Sequence, residues 1–232
     1  VFWLAPANPA AAGADDACVE FTRPAVQAFA RHGIQRVVGI SALGRGTVAA
    51  KDAGLVTASL AMDDLIAEGS AAAYRAVVCP SFMHNLLRQV RTLAEGAFSG
   101  MGRADLPVPL VATTDIAAAA AALLLDASWA ESGFGEVPVL GPQDLSPSDM
   151  AATLGEVLAR PVQYRQLDAE AFAARLASFG TSPGMVAATV AMFHAKNQGM
   201  DNAEARTAAT ATPTTFRQWC QQVLKPAVAE VS

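Results

Sequence analysis

The chain has 232 residues, 53% of them apolar and only 16% charged, with a formal net charge of −5. This length suits one large or two small domains with a substantial core. The charged fraction falls well below the roughly 25% of an average soluble protein, and a mildly acidic balance without a basic stripe argues against a nucleic-acid partner.

Taken in chain order, Val1-Phe2-Trp3-Leu4-Ala5-Pro6 reads as the end of a buried strand that breaks into a proline loop. A chain that opens inside an apolar strand is expected to be a fragment of a longer protein. Residues 15–32 follow as a helix, with Cys18, Val19, Val26, Phe29 and Ala30 on one side, Pro24 as a kink or a second start, and Gly33 at the C-cap. Arg36-Val37-Val38-Gly39-Ile40-Ser41 has no polar alternation, as a strand covered on both faces requires. The unit then repeats, with a helix over 58–68 closed by Gly69 and a strand over 73–79 ended by Pro80. Helix, glycine and buried strand in succession are the pattern of a parallel sheet.

Ser81 is expected to cap a helix reaching residue 95, with Phe82, Leu86 and Val90 on one side. Leu110-Val111-Ala112 is a short strand, and Thr113 or Thr114 caps a helix over 115–126. The apolar run 116–125 is far shorter than the roughly 20 residues of a membrane span, so no membrane is expected. After Gly133, residues 136–140 read as a strand, Gly141-Pro142 as a turn, and Ser146-Pro147-Ser148-Asp149 as the start of a helix ending at Ala159. An edge strand over 162–167 and helices over 168–179, 183–196 and 214–224 complete a small, mostly helical lobe. The expected division is 1–132 for the α/β part and 133–232 for the helical lobe, with the two interleaved.

Few side chains are spaced for chemistry. Cys18, Cys79 and Cys220 stand far apart with no C-x-x-C, so neither a zinc site nor a disulfide framework is signalled, and a reducing cytoplasm suits them. Gly44-Arg45-Gly46-Thr47-Val48-Ala49 matches G-x-G-x-x-A, with Asp63 and Asp64 near the distance of a ribose-binding acid; it reads either as a pyrophosphate cradle or, because Lys51-Asp52-Ala53-Gly54 interrupts the helix that should follow, as a loop. Ser41 ends a parallel strand on the side where ligands bind in open α/β folds, and it either serves a ligand or satisfies loop backbone. Neither tyrosine has the lysine four residues on that a dehydrogenase proton relay needs: Tyr74 is followed there by Val78 and Tyr164 by Asp168. His32, His84 and His194 are scattered, so no catalytic triad or metal set is named. Pro80-Ser81-Phe82-Met83-His84-Asn85 gathers apolar and hydrogen-bonding groups at the ligand edge of the sheet, and a pocket role is expected for Phe82, Met83, His84 and Asn85 over a core role.

The order of segments resembles the NmrA-like group of atypical short-chain dehydrogenase relatives, which includes NAD(P)H-dependent quinone reductases, azoreductase-like proteins and redox-sensing regulators. The matching strings are Val1-Phe2-Trp3-Leu4-Ala5-Pro6, GIQRVVGIS from Gly33 to Ser41, Pro80 with Phe82, Met83 and Asn85, Asp115-Ile116-Ala117, Gly141-Pro142 and Pro213-Thr214-Thr215-Phe216, spread over nearly the whole chain. The resemblance implies a Rossmann-like, doubly wound parallel α/β sheet, seen here from its fourth strand onward, with a helical substrate lobe. It also implies NADP, or NAD, lying near Pro6, Ala7, Ser41, Ala42, Pro80 and Phe82, with no metal.

Two departures qualify the implied activity. The family's opening strand, G-x-x-G-x-x-G loop and following units have no counterpart, since Val1 aligns with the fourth strand. The helix that carries Tyr and Lys in active dehydrogenases corresponds to residues 58–66, with Ala58 and Met62 at those positions. Hydride transfer from NADPH to a quinone-like or azo-type acceptor needs no tyrosine proton donor and is the expected activity, with a small-molecule electron acceptor as partner. The alternatives are a non-catalytic NADP-sensing regulator and a truncated or decayed member that binds no cofactor. In the family's strand order the opening strand would be left as an apolar edge, so a homodimer through it is also expected.

Overall fold

A computed structural model describes residues 1–126, 128–129 and 133–231. In chain order its strands are β1 (Phe2–Trp3), β2 (Arg36–Ala42), β3 (Ala73–Cys79), β4 (Ser81–Phe82), β5 (Ala97–Gly100), β6 (Val108–Val111), β7 (Phe134–Pro138), β8 (Asp144–Leu145) and β9 (Gln163–Gln166). The helices are α1 (Phe21–Arg31), α2 (Leu55–Gly69), α3 (Val90–Ala94), α4 (Thr113–Leu125), α5 (Pro147–Leu158), α6 (Ala169–Ser178), α7 (Pro183–Asn197), α8 (Phe216–Trp219) and α9 (Lys225–Ala229).

The β-branched runs without polar alternation form the centre of a four-stranded parallel sheet in the order β1-β2-β3-β7. β2 and β3 are in register over their full length, from Arg36 opposite Ala73 to Ala42 opposite Cys79. Alternation along the strands sends Val37, Tyr74, Ala76 and Val78 toward Val26 and Phe29 of α1 and Met62 and Ile66 of α2. Val38, Ala73, Val77 and Cys79 point the other way, onto Ile116 and Ala120 of α4. Helices on both faces of a parallel sheet are the doubly wound arrangement, and each fully buried large aliphatic side chain contributes about 1.5–3 kcal/mol. β1 is an outer strand of this sheet, with Phe2 and Leu4 45% and 57% exposed beside it.

A second core lies in the helical lobe. Leu93, Phe98, Leu154, Phe216, Trp219 and Leu224 pack together there, and β5 pairs with β9 in parallel at its margin. β4 pairs with β6 in parallel and β6 with β8 antiparallel, linking the two lobes. The expected boundary at residue 132 falls outside the described residues, and β7, beyond it, is a strand of the main sheet.

Several local expectations are corrected. Ser81 caps nothing: it lies in β4, and the segment after it is a 3-10 stretch, Met83–Gln89, that becomes α-helical only in α3. Neither Thr113 nor Thr114 caps α4, because Ala112 is the N-cap and Thr113 is already helical. Pro24 lies within α1, and the turn before it, Asp16–Glu20, is widened to a π-helix. The missing proline N–H and the bulk of its ring are accommodated by such a turn. The last helical segment continues as a π turn, Cys220–Leu224, into α9, past the expected end at residue 224. The helix start at Ser146-Pro147-Ser148-Asp149, by contrast, forms where the sequence places it, with Pro147 in the first turn, and the structure adds a capping box between Ser146 and Asp149.

Candidate functional site

Because β1, β2 and β3 run parallel, their carboxyl ends meet along one edge, followed by Pro6, Leu43 and Pro80 respectively. Pro6 and Ala7 are exposed there and, with Asn8, Asp16, Ala17, Glu20 and Phe21, line a cleft of about 480 Å3. Two features of α7 hold this loop in place. The Ser182 hydroxyl donates to the Ala11 carbonyl at 2.5 Å, and the Ser182 N–H donates to the Pro9 carbonyl at 2.8 Å. The helical lobe thus fixes one wall of the cleft. Phe21 stacks on Trp3 at 5.9 Å between centroids and is 47% exposed. Among the described residues no cationic side chain lines the cleft; its charged groups are the carboxylates of Asp16, which accepts from the Ala12 N–H, and Glu20, paired with Arg23.

The other expected site residues do not line this cleft. Ala42 is half-buried against the apolar group around Val56 and Met200, and Pro80 is buried. Phe82 is half-buried against Val111 and Ile116. Met83 is 2% exposed and packs in the lobe core beside Leu86, one step past β4. Asn85 is exposed. His84 is half-buried, with the Trp219 indole N–H donating to its Nδ1 at 3.2 Å and Thr113 Oγ1 lying 3.1 Å from its ring nitrogens. Burial lowers its pKa from the ordinary histidine value, so at neutral pH the ring is uncharged and can accept that bond. His84 therefore ties α8 to the end of β4.

The largest electrostatic departure lies under α2. Asp63 is fully buried against the sheet. The Ser41 hydroxyl donates to its Oδ2 at 2.5 Å and the Tyr74 phenol to its Oδ1 at 2.6 Å. Gly39, between them on β2, leaves the room this needs: a Cβ there would stand 2.5 Å from the Tyr74 oxygen. Arg45 approaches from the loop after β2, with Nη2 3.7 Å from Asp63 Oδ2, Nη1 2.8 Å from Asp64 Oδ1 and Nε 2.7 Å from Glu136 Oε1. Burial pushes the Asp63 carboxyl up to about 7, against the two hydroxyl bonds and the Arg45 charge, which favour ionisation. Tyr74 is raised far above the ordinary phenol value, first by burial and then by the Asp63 charge.

The sequence marked Asp63 for a ribose, but both its oxygens are taken and it is closed to solvent. Ser41 is likewise committed to Asp63 rather than to loop backbone. The Gly44-Arg45-Gly46 string is a loop, with the 3-10 turn Ala49–Asp52 where a phosphate-binding helix would begin. The Tyr74–Asp63–Arg45 association was missed by motif reading. Its one sequence signal is an acid seven residues after Val56 and three before Ile66, on the face of α2 that is buried. Ala58 and Met62, the positions that the resemblance equates with the dehydrogenase Tyr and Lys, are 1% and 2% exposed and belong to the core. Burial raises Cys79 and Cys220 to about 12, leaving inert thiols.

No protein-family model and no curated protein sequence matches the chain. Solved structures do. A nucleoside-diphosphate-sugar epimerase from Staphylococcus aureus aligns at TM-score 0.74 and 17% identity, over 96% of this chain and 76% of its own. The fold is Rossmann-like. Triphenylmethane reductase from Citrobacter sp. aligns at 0.68 and 16%, over 99% and 75%. An NADPH-dependent quinone oxidoreductase from Escherichia coli aligns at 0.65 and 19%, over 90% and 72%. These likenesses agree with the fold that the resemblance implies. Among the described residues no helix is long and apolar enough to cross a membrane, and no group of acids, His and Cys is arranged to hold a metal.

Proposed function

We propose that this chain belongs to an NAD(P)H-dependent oxidoreductase of NmrA-like type that reduces a quinone-like or azo-type acceptor in the cytoplasm. The observation that carries the reading is the hydrocarbon burial of Ala58 and Met62, which the resemblance equates with the family's Tyr and Lys, in a fold shared with an NADPH-dependent quinone oxidoreductase. A carbonyl reductase or epimerase needs a proton donor there, whereas an acceptor that takes a hydride directly does not.

The residues fit the ring end of a dinucleotide and not its phosphates. The cleft beside Pro6 and Ala7 has the size of a small-molecule site and offers the exposed face of Phe21 for stacking, but its carboxylates repel a diphosphate. When bound, the cofactor supplies the hydride. Pro6, Ala7 and Phe21 would orient the ring, Ser182 would keep the loop in place, and Phe82, His84 and Asn85 would border the acceptor on the far side of Pro80. Stopped-flow oxidation of NADPH by a quinone panel tests this. Acceptor-dependent turnover that survives Ser41→Ala is expected, since Ser41 bonds Asp63 and donates no proton to the acceptor. Absence of any acceptor-dependent turnover overturns the reading.

A second reading, an NADP-sensing regulator, is favoured by the acidic lining. Asp16 beside the ring, with the Glu20 charge offset by Arg23, would favour the cationic oxidised nicotinamide over the neutral reduced one. A strong preference for NADP+ in equilibrium dialysis, with no turnover, selects that reading. Self-association through the open β1 edge belongs to either, and a concentration-independent monomer in sedimentation would remove it.

A further inference from the structure

The acid under α2 meets polar and charged groups from two strands of the sheet and the loop after β2, with a further carboxylate on a third strand. Ser41 comes from β2, Tyr74 from β3, Arg45 from the loop after β2, and Glu136 from β7. Asp64 shares α2, and the half-buried Cys18 thiol lies on the π turn before α1, raised first by burial and in part by the charges of Asp15 and Asp63. One guanidinium thus serves three carboxylates. It does so from a loop whose path depends on glycine: Gly44 and Gly46 have φ of +125° and +81°, and a Cβ on Gly44 would come 3.0 Å from Met200 Sδ. Between these two hinges Arg45 anchors the loop to α2 and β7, and the loop leads into the turn Ala49–Asp52, which packs on α7.

We infer that Asp63, Ser41, Tyr74 and Arg45 form a proton-linked latch on the loop at the carboxyl edge of β2. With Asp63 ionised, two hydroxyl donors and Arg45 converge on it and the loop is drawn onto the sheet. With Asp63 neutral, its own proton must be donated, so one hydroxyl has to reverse and accept it. Arg45 then keeps Glu136, Asp64 and the Leu60 carbonyl, at 2.7, 2.8 and 3.2 Å, and the face of the Phe134 ring, and loses the attraction of the Asp63 charge at 3.7 Å. By reciprocity, whatever seats the loop favours loss of the Asp63 proton. The titration falls near neutral pH because burial disfavours the ionised carboxyl.

The latch has a signature that simple loosening lacks. Ionising a buried acid lowers global stability, yet here it tightens one loop. Amide exchange of Thr47 and Ala50, whose N–H groups close turns within the loop, is measured from pH 5 to 9 with intrinsic rates removed, beside thermal unfolding of the same samples. Local protection is expected to rise about fivefold or more through neutral pH while the unfolding temperature falls, and both dependences are expected to vanish in Asp63→Asn. Protection that stays flat or falls together with the unfolding temperature, or pH dependence retained in Asp63→Asn, overturns the inference. Should that variant not fold, carboxyl carbon NMR of Asp63 is compared between the wild type and Arg45→Met. An upward shift of its titration midpoint in Arg45→Met supports the latch, and an unchanged midpoint overturns it. None of these readouts needs a cofactor, so their outcome is separate from that of the turnover experiment.

Discussion

The two faces of the main sheet are built from the same strands and solve burial in opposite ways. Toward α4 the strands present Val38, Val77 and Cys79 to Ile116 and Ala120, a contact made only of hydrocarbon and a thiol. Toward α2 they present Val37 and Val78 but also Tyr74 and Ser41, and α2 answers with Asp63 among Met62 and Ile66. The first face gains stability from transfer out of water. The second accepts the desolvation of a carboxyl, offset by two short hydroxyl bonds and a nearby guanidinium. Its gain is positional: the two hydroxyl bonds lock β2, β3 and α2 in one register, and Arg45 holds the loop after β2 to α2 and β7 through Asp64 and Glu136, which a greasy contact of similar area leaves freer to slide.

If the faces differ in this way, the largest loss comes from the apolar one. Ile116→Ala is expected to cost about 2–5 kcal/mol, read by urea unfolding, with no change in its pH dependence. On the polar face the pH dependence itself is the diagnostic. The folded state keeps the Asp63 proton up to about 7, whereas the unfolded chain releases it near the ordinary value of 3.8. Between those values the folded state binds more protons, so stability falls as pH rises, by at most about 1.4 kcal/mol per pH unit, and levels off above neutrality. Asp63→Asn should flatten that slope, and an unchanged slope would assign it to other carboxylates. Tyr74→Phe removes one donor and is expected to cost about 1–3 kcal/mol above neutral pH and less in acid, where Asp63 is uncharged. Arg45→Met should cost the least, about 1 kcal/mol or under, because the guanidinium is partly exposed to solvent. A loss as large as that of Ile116→Ala would show that the polar face carries the fold.

Much of this architecture was legible from residue order. The unbroken run from Arg36 to Ser41, the strand at residues 73–79 ending at Pro80, and the capped helix after Ser146 all formed where the sequence placed them, because burial on both faces and N-cap chemistry are local patterns. The stretch after Pro80 was not legible. Its apolar spacing suits a helix, yet the chain spends two residues pairing with β6 and then tightens to a 3-10 stretch that buries Met83. That choice depends on β6, nearly thirty residues later, offering a strand edge.

The candidate site divides along the same line. The chain alone determined a parallel α/β sheet, the lack of a Tyr and Lys pair, and Pro6 and Ala7 at a strand end, since each is a matter of residue type and near spacing. Only the tertiary structure decided that Ser41 and Asp63, far apart in the chain, share one hydrogen bond with Tyr74 close by, that Gly39 makes room for that phenol, and that Met83 turns into the core. The physical reason is that a side chain's protonation state and pocket role are set by what neighbouring elements bring within a few ångströms, and α2, β2 and β3 meet only once the sheet has closed.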